Sequence, residues 1–253
     1  MTRKKGIILL IILVFLLIGQ SAQAAPTTRS IPNVDINVGQ AEKPQEFVDS
    51  IQILILLTVL TLAPAILILF TSFTRIIVVF SLLRNALSTQ QTPPNQVLIG
   101  LALFLTFFIM SPVYNQVKEQ AVNPYLAGDI SQKEAIEEGS QPIKEFMLEQ
   151  TREKDLALFI DISQEELPKD RTKVSFTTLV PAFVISELKT AFQIGFLLYI
   201  PFIVIDLVVS SILMSMGMFM LPPATISLPF KLLLFILVDG WNLIVKSLVE
   251  SFI

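Results

Sequence analysis

The side chains that could do chemistry in this sequence are limited first by what is missing. There is no histidine and no cysteine. Ser-His-Asp triads, cysteine nucleophiles, imidazole bases, His/Cys metal sites and disulfides are therefore excluded. The nine glycines form neither GxxxxGK[ST] nor GxGxxG, so neither common phosphate cradle is present. What remains is 21 Asp/Glu and 18 Lys/Arg. Most of the carboxylates fall between Lys118 and Lys173, where 13 acidic residues face 8 basic ones. Carboxylate-only hydrolysis or a carboxylate metal site would have to come from that set. The composition reads as a non-enzyme with no cofactor and no metal.

The more telling charges lie inside apolar runs. Glu187 and Lys189 interrupt one such run, Asp206 sits near its end, and Lys231, Asp239 and Lys246 punctuate the next. On one continuous helix, with Lys231 at zero, Asn242 falls at about 20°, Lys246 at about 60°, Asp239 at about 80° and Glu250 at about 100°. Charges at membrane depth are costly and face protein or water. The stripe therefore reads as a buried subunit contact or a wetted lumen. Snorkelling at helix ends is the alternative, adequate for Lys231 and Lys246 but poor for Asp239.

Met214, Met216, Met218 and Met220 are four of the seven methionines, with Phe219 among them and Leu221-Pro222-Pro223 following. Spacing of two aims side chains one way in an extended segment, and Gly217 with the double proline predicts a non-helical loop. Unbranched thioethers repack around varied partners. A flexible apolar constriction and ordinary packing at a helix end are the two readings. Ala191-xxx-Gly195 and Ser211-xxx-Ser215 are small-residue pairs of the kind that bring helix backbones together.

Apolar helices must position these groups. The chain is 53% apolar and 15% charged, against about 25% charged in soluble domains. Arg3, Lys4 and Lys5, the apolar run Ile7 to Ile18 and Ala22-Gln23-Ala24 predict a cleavable signal peptide over 1–24, cut after Ala24. A polar linker, 25–46, precedes a first helical hairpin, 47–117, whose runs are Ser50 to Thr74, with a kink at Pro64, and Val97 to Val113. The segment 118–176 is acidic. Ser131-x-x-Glu134 and Ser163-x-x-Glu166 resemble capping boxes there, and Ile143, Phe146 and Met147 recur at helical spacing. Short helices bracketed by Pro124, Pro142 and Pro168 are expected. A second hairpin with the Met-rich loop fills 177–253. Arg75 and Arg84, with no acid between them, place the first connection in the cytoplasm and the acidic segment outside. The fold class is all-α, with four main apolar helices in membrane-type hairpins.

Pro181 to Phe196 (PAFVISELKTAFQIGF), the run from Pro201 to Trp241, and Phe146 to Phe159 (FMLEQTREKDLALF) resemble the FliP family of flagellar biosynthesis proteins. The resemblance runs from about Phe47 onward and leaves residues 26–46 unmatched. It implies a core subunit of the flagellar type III export gate in the bacterial inner membrane, within the basal body. Several copies, a homopentamer in that family, would form a helical cone with FliQ-like and FliR-like subunits. Unfolded flagellar proteins would pass through it, in contact with lipid and other export components but not nucleic acid. The resemblance places Met218, Phe219 and Met220 in a gasket, with Met214 and Met216 beside it. It makes Glu187, Lys189, Asp206, Lys231, Asp239 and Lys246 buried charges at subunit contacts, and sets the hairpins largely above the bilayer plane. The equivalent subunit of a virulence injectisome is a near alternative. An ion-coupled transporter using Glu187 and Asp206 is one of another class, and a lone assembly scaffold is a third.

Overall fold

The computed structural model of the chain describes residues 44–163 and 173–252. The predicted leader with Ala24, most of the linker, Glu166 and Pro168 lie outside the described residues. The chain divides into two units, Met1–Ile53 and Leu54–Ile253. The described part of the first is the start of one helix, and the second holds the packed helices. Among the described residues there are helices and no strands, so the all-α expectation is met.

Helix α1, Pro44–Phe70, carries Pro64 within it. The run expected to continue to Thr74 breaks at Thr71 and Ser72, where the hydroxyls of Thr71 and Thr74 take over backbone carbonyls. Thr71 Oγ1 donates to the Leu67 carbonyl, and Thr74 Oγ1 donates to the Ile68 carbonyl at 2.7 Å. Such local side-chain bonds compete with the helical ladder and favour a break. Helix α2, Phe73–Ala86, is the most enclosed element, with Ile76, Val79 and Phe80 fully buried.

The expected first hairpin is therefore three helices. Its last, α3 (Asn95–Val117), does not stop at the marginal length that the sequence suggested. It runs on through a π-helical turn, Lys118–Val122, into α4, Asn123–Ala127, which ends on left-handed Gly128.

In the acidic segment, α5 spans Gln132–Gln150 and α6 spans Glu153–Ser163. The first capping box is complete: the Ser131 hydroxyl accepts from the Glu134 amide, and the Glu134 carboxylate accepts from the Ser131 amide at 2.8 Å. That backbone bond is the main reason the Glu134 carboxyl lies below its ordinary range. Ser163 of the second box is the last residue of α6, and Glu166 lies outside the described residues. Pro142 does not bracket a helix, since it lies inside α5 and is buried with Phe146 and Met147. Packing of that face outweighs the hydrogen bond a proline removes. Pro124 sits in the first turn of α4, where its missing N–H costs least.

Helix α7, Phe176–Ser215, has 40 residues, about 60 Å at 1.5 Å per residue. A hydrocarbon core is about 30 Å thick, so α7 is far too long to lie within one. Its buried face, Leu179, Phe183, Glu187, Ala191, Gly195 and Phe202, keeps a spacing of about four and packs on α2 and α6. Helices α8 (Pro223–Leu237) and α9 (Gly240–Glu250) follow, bent by 64°. Three helical stretches, and the bent pair if counted as one span, are long and apolar enough to cross a membrane. Much of their apolar surface is uncovered, for example Leu60, Phe104, Phe108, Phe196 and Leu207.

Candidate functional site

Two buried charge centres and one exposed apolar turn account for most of the residues that the sequence singled out. The first centre forms around Arg75 of α2. Its Nε donates to Glu187 Oε2 at 3.0 Å, and its Nη2 donates to Glu187 Oε1, so the pair is bidentate. Nη2 also donates to Gln150 Oε1 at 2.9 Å, and Nη1 donates to the Ser251 carbonyl at 2.8 Å and the Ser251 hydroxyl at 3.0 Å. The Phe252 ring centroid lies 3.7 Å from the guanidinium carbon. Both charged side chains are almost wholly buried. A planar fork with five donors suits this arrangement, which an ammonium could not satisfy.

The second centre surrounds Lys231 of α8, whose side chain is 2% exposed. Its Nζ donates to Asp206 Oδ2 at 2.6 Å, to the Ser88 hydroxyl at 2.7 Å and to the Ala86 carbonyl at 3.2 Å. Ser227 donates to the other Asp206 oxygen at 2.5 Å. Three donors thus meet three acceptors, and the carboxylate has two partners of its own.

These contacts correct part of the sequence reading. Glu187, Asp206 and Lys231 find charged partners inside the chain, with 35% of the Asp206 side chain left exposed. Lys189, Asp239 and Lys246 are exposed. The single stripe from Lys231 to Glu250 does not exist, because the helix breaks at Asp239. That residue has φ 49, in the left-handed region. Lys231 faces inward, whereas Asp239 and Asn242 are exposed and Lys246 pairs loosely with Glu250 at 3.8 Å. Arg75 and Arg84 both lie on α2, so neither is a loop charge of the kind the predicted topology counted.

Sequence reasoning missed Arg75, Ser88, Gln150 and Phe252 as partners. One signal was available: Arg75 and Glu187 are lone charges of opposite sign on apolar runs, as are Asp206 and Lys231. Phe252 carries no polar mark that could have revealed it.

A smaller polar junction ties α6 to α7. Asp155 Oδ2 accepts from the Ser186 hydroxyl at 2.6 Å and from Arg152 Nη2 at 2.6 Å. Burial pushes the Asp155 carboxyl up, but these two bonds and the charges of Arg152 and Lys189 outweigh it, and the group lies below its ordinary range. Among the described residues, no three carboxylates gather closely enough to hold a metal ion.

The methionines are placed differently. Met214 is on the last turn of α7, and Met216 to Pro222 leave the helix. The segment is a turn and not an extended strand, since Gly217 at φ 75 reverses it. The side chains therefore do not all aim one way. They are exposed nonetheless: Met214 61%, Met216 65%, Phe219 78% and Met220 98%. Met218 is half-buried. Pro222 and Pro223 then start α8. Ser211 and Ser215, also exposed, bond back to their own helix and leave a small-residue face beside the turn. The other small pair is closed: a methyl group on Gly195 would lie 2.2 Å from Leu82 Cδ1.

The FliP family model matches residues 56–248. The chain is 56% identical over 220 residues to the flagellar biosynthetic protein FliP of Bacillus subtilis, covering 87% of this chain and all of that one. It is 60% identical over 208 residues to the flagellar biosynthetic protein FliP of Pectobacterium carotovorum, covering 82% and 81% of the two chains. The protein of the same name from Aquifex aeolicus is 51% identical over 226 residues, covering 88% of this chain and 92% of the relative. The match takes in Arg75, Gln150, Glu187, Asp206, Lys231 and the methionine turn, and ends before Ser251 and Phe252; the chain belongs to the FliP family.

Proposed function

We propose that the chain is a core subunit of the flagellar type III protein export gate, and that several copies, five in our reading, surround a path for unfolded flagellar subunits. FliQ-like and FliR-like subunits complete the assembly in the inner membrane at the basal body. The observation that carries this reading is the Met216–Leu221 turn. An exposed, uncharged and thioether-rich turn at the end of a helix of about 60 Å is poorly suited to water. It is well suited to a ring of copies that meet at a narrow axis. Flexible thioethers can close on one another when the path is idle and repack around a passing chain. Phe219 adds bulk and stiffness to that ring.

The uncovered apolar faces of α7 and of α3 with its continuation to Ala127, 40 and 33 residues long and so about 60 and 50 Å, support burial by neighbouring copies beyond the lipid. Lys189, Asp239 and Lys246, exposed in one chain, are the charges available for contacts between copies. The ion-coupled transporter has less support, because Glu187 and Asp206 are each held by a cation within the chain.

The test is the mass and symmetry of the detergent-extracted complex, co-expressed with and without FliQ and FliR homologues. A discrete oligomer of about five copies is expected. A strictly monomeric protein under both conditions would contradict the reading.

A further inference from the structure

Helix α9 is attached at two points that differ in kind. Near Asp239 it is held by aromatic packing. Trp241 meets Phe235 edge-on with centroids 5.5 Å apart and Phe80 at 6.2 Å, and Gly240 lets the Phe235 ring approach where a methyl group would collide at 2.3 Å. At its far end the attachment is polar. The Ser251 carbonyl and hydroxyl accept from Arg75, the Phe252 carbonyl accepts from Gln150 Nε2 at 3.4 Å, and the Phe252 ring covers the guanidinium. Between these points only Ile244 and Leu248 are buried on α9.

We propose that α9 is a hinged arm, with Val238–Asp239 as its hinge and Ser251–Phe252 as a latch on Arg75. Three observations carry this. The hinge is strained, because a non-glycine residue at φ 49 is held there only by its surroundings. The latch converges on a cation that is already paired with Glu187, so the arm can leave without stranding a lone buried charge. The arm's apolar contacts do little to hold it in an apolar surrounding, where lipid tails or neighbouring helices cover Ile244 and Leu248 as well as α7 and α2 do. The polar latch and the cation–π contact then decide where α9 rests. This requires an apolar surrounding for α9. It does not require that the methionine turn seals a path, so the two readings stand or fall separately.

The chain has no cysteine, so two spin labels can be placed cleanly. Lys246→Cys on α9 and Glu145→Cys on α5 are both exposed sites. The full-length labelled chain is diluted into unlabelled copies in lipid nanodiscs, and the distance between labels is read by pulsed electron–electron resonance. With Arg75, Ser251 and Phe252 intact, one narrow distribution is expected. Arg75→Met with Glu187→Leu, which removes the guanidinium that Ser251 and Phe252 hold together with its buried counter-charge, should at least double its width or add a second, longer population. Phe252→Trp, which keeps a ring over Arg75, should stay narrow. Should the double variant fail to fold, Phe252→Leu fills the same space without a ring and should broaden the distribution. An unchanged distribution in the folded double variant or in Phe252→Leu would overturn the latch, and so would broadening by Phe252→Trp.

Discussion

The two halves of α7 have similar sequences and opposite environments. From Phe176 to Phe202 the helix presents a buried face to α2 and α6 and includes Glu187, bound by Arg75. Between Phe202 and Ser215 only Leu213 is buried, while Val204, Leu207, Val208 and Ile212 are uncovered up to the methionine turn. One face of the first half is closed within the chain, with its charge paired and its glycine against Leu82, while Phe192, Phe196 and Leu197 on its other side are uncovered. The second half is incomplete and needs lipid or another copy. Hydrophobicity is shared by both halves, so it does not distinguish them. The placement of small and charged residues does. The first half carries Gly195 and Glu187 on one buried face, whereas the second half has its one charge, Asp206, at its start and carries exposed aliphatic residues around much of the rest of its circumference.

The largest expected effect tests whether the first half is finished by its ion pair. Arg75→Ala leaves Glu187 buried and unpaired and should cost about 3–5 kcal/mol, seen as a lower unfolding midpoint and loss of assembled complex. Arg75→Met combined with Glu187→Leu removes both charges, and should recover much of that loss. Failure of the double variant to recover would show that the Gln150 and Ser251 bonds matter more than the pair. Lys231→Ala tests the boundary between the halves. Asp206 is 35% exposed at its side chain and can recruit water, so the loss should be about 3 kcal/mol or less by the same measure.

Gly195→Ala comes next, since a methyl group there would drive Leu82 away. Overpacking of this kind costs about 1–3 kcal/mol. The same methyl group at Ser211, on the uncovered half, should have no effect on the stability of the single chain. Acid gives a smaller effect, confined to the first half. The partners of Asp155 favour its ionised form, so the junction contributes fully above the ordinary carboxylate range, near pH 4, and its contribution is lost as pH falls through the lower folded value. Unfolding midpoints of the wild type and Asp155→Asn should therefore differ at pH 6 and draw together as pH falls below the ordinary carboxylate range.

Much of this contrast was legible in the sequence. Composition and run length gave the all-α class, Ser131 and Glu134 marked a real cap, and Ala191-xxx-Gly195 marked a real close approach. Gly217 with Pro222-Pro223 marked a real turn. What failed has two physical causes. Periodicity assumes that a helix continues, yet Asp239 breaks the expected stripe and Thr71 and Ser72 divide the first run. A proline reads as a break, yet Pro142 stays inside α5 because its face is packed. Long-range partners were not legible either. Nothing local to Arg75 announces a carboxylate 112 residues away or a backbone carbonyl 176 residues away.

The smallest effect on stability belongs to the other end of α7 and bears most directly on function. Met218→Ala with Phe219→Ala and Met220→Ala should leave the unfolding midpoint within about 0.5 kcal/mol of wild type, as surface substitutions do. The decisive measurement is ion conductance through the assembled, idle complex carrying these three substitutions, reconstituted in planar bilayers. The account predicts wild-type yield and symmetry with a several-fold rise in leak. An assembled complex with wild-type leak would contradict the assignment of this turn as the seal.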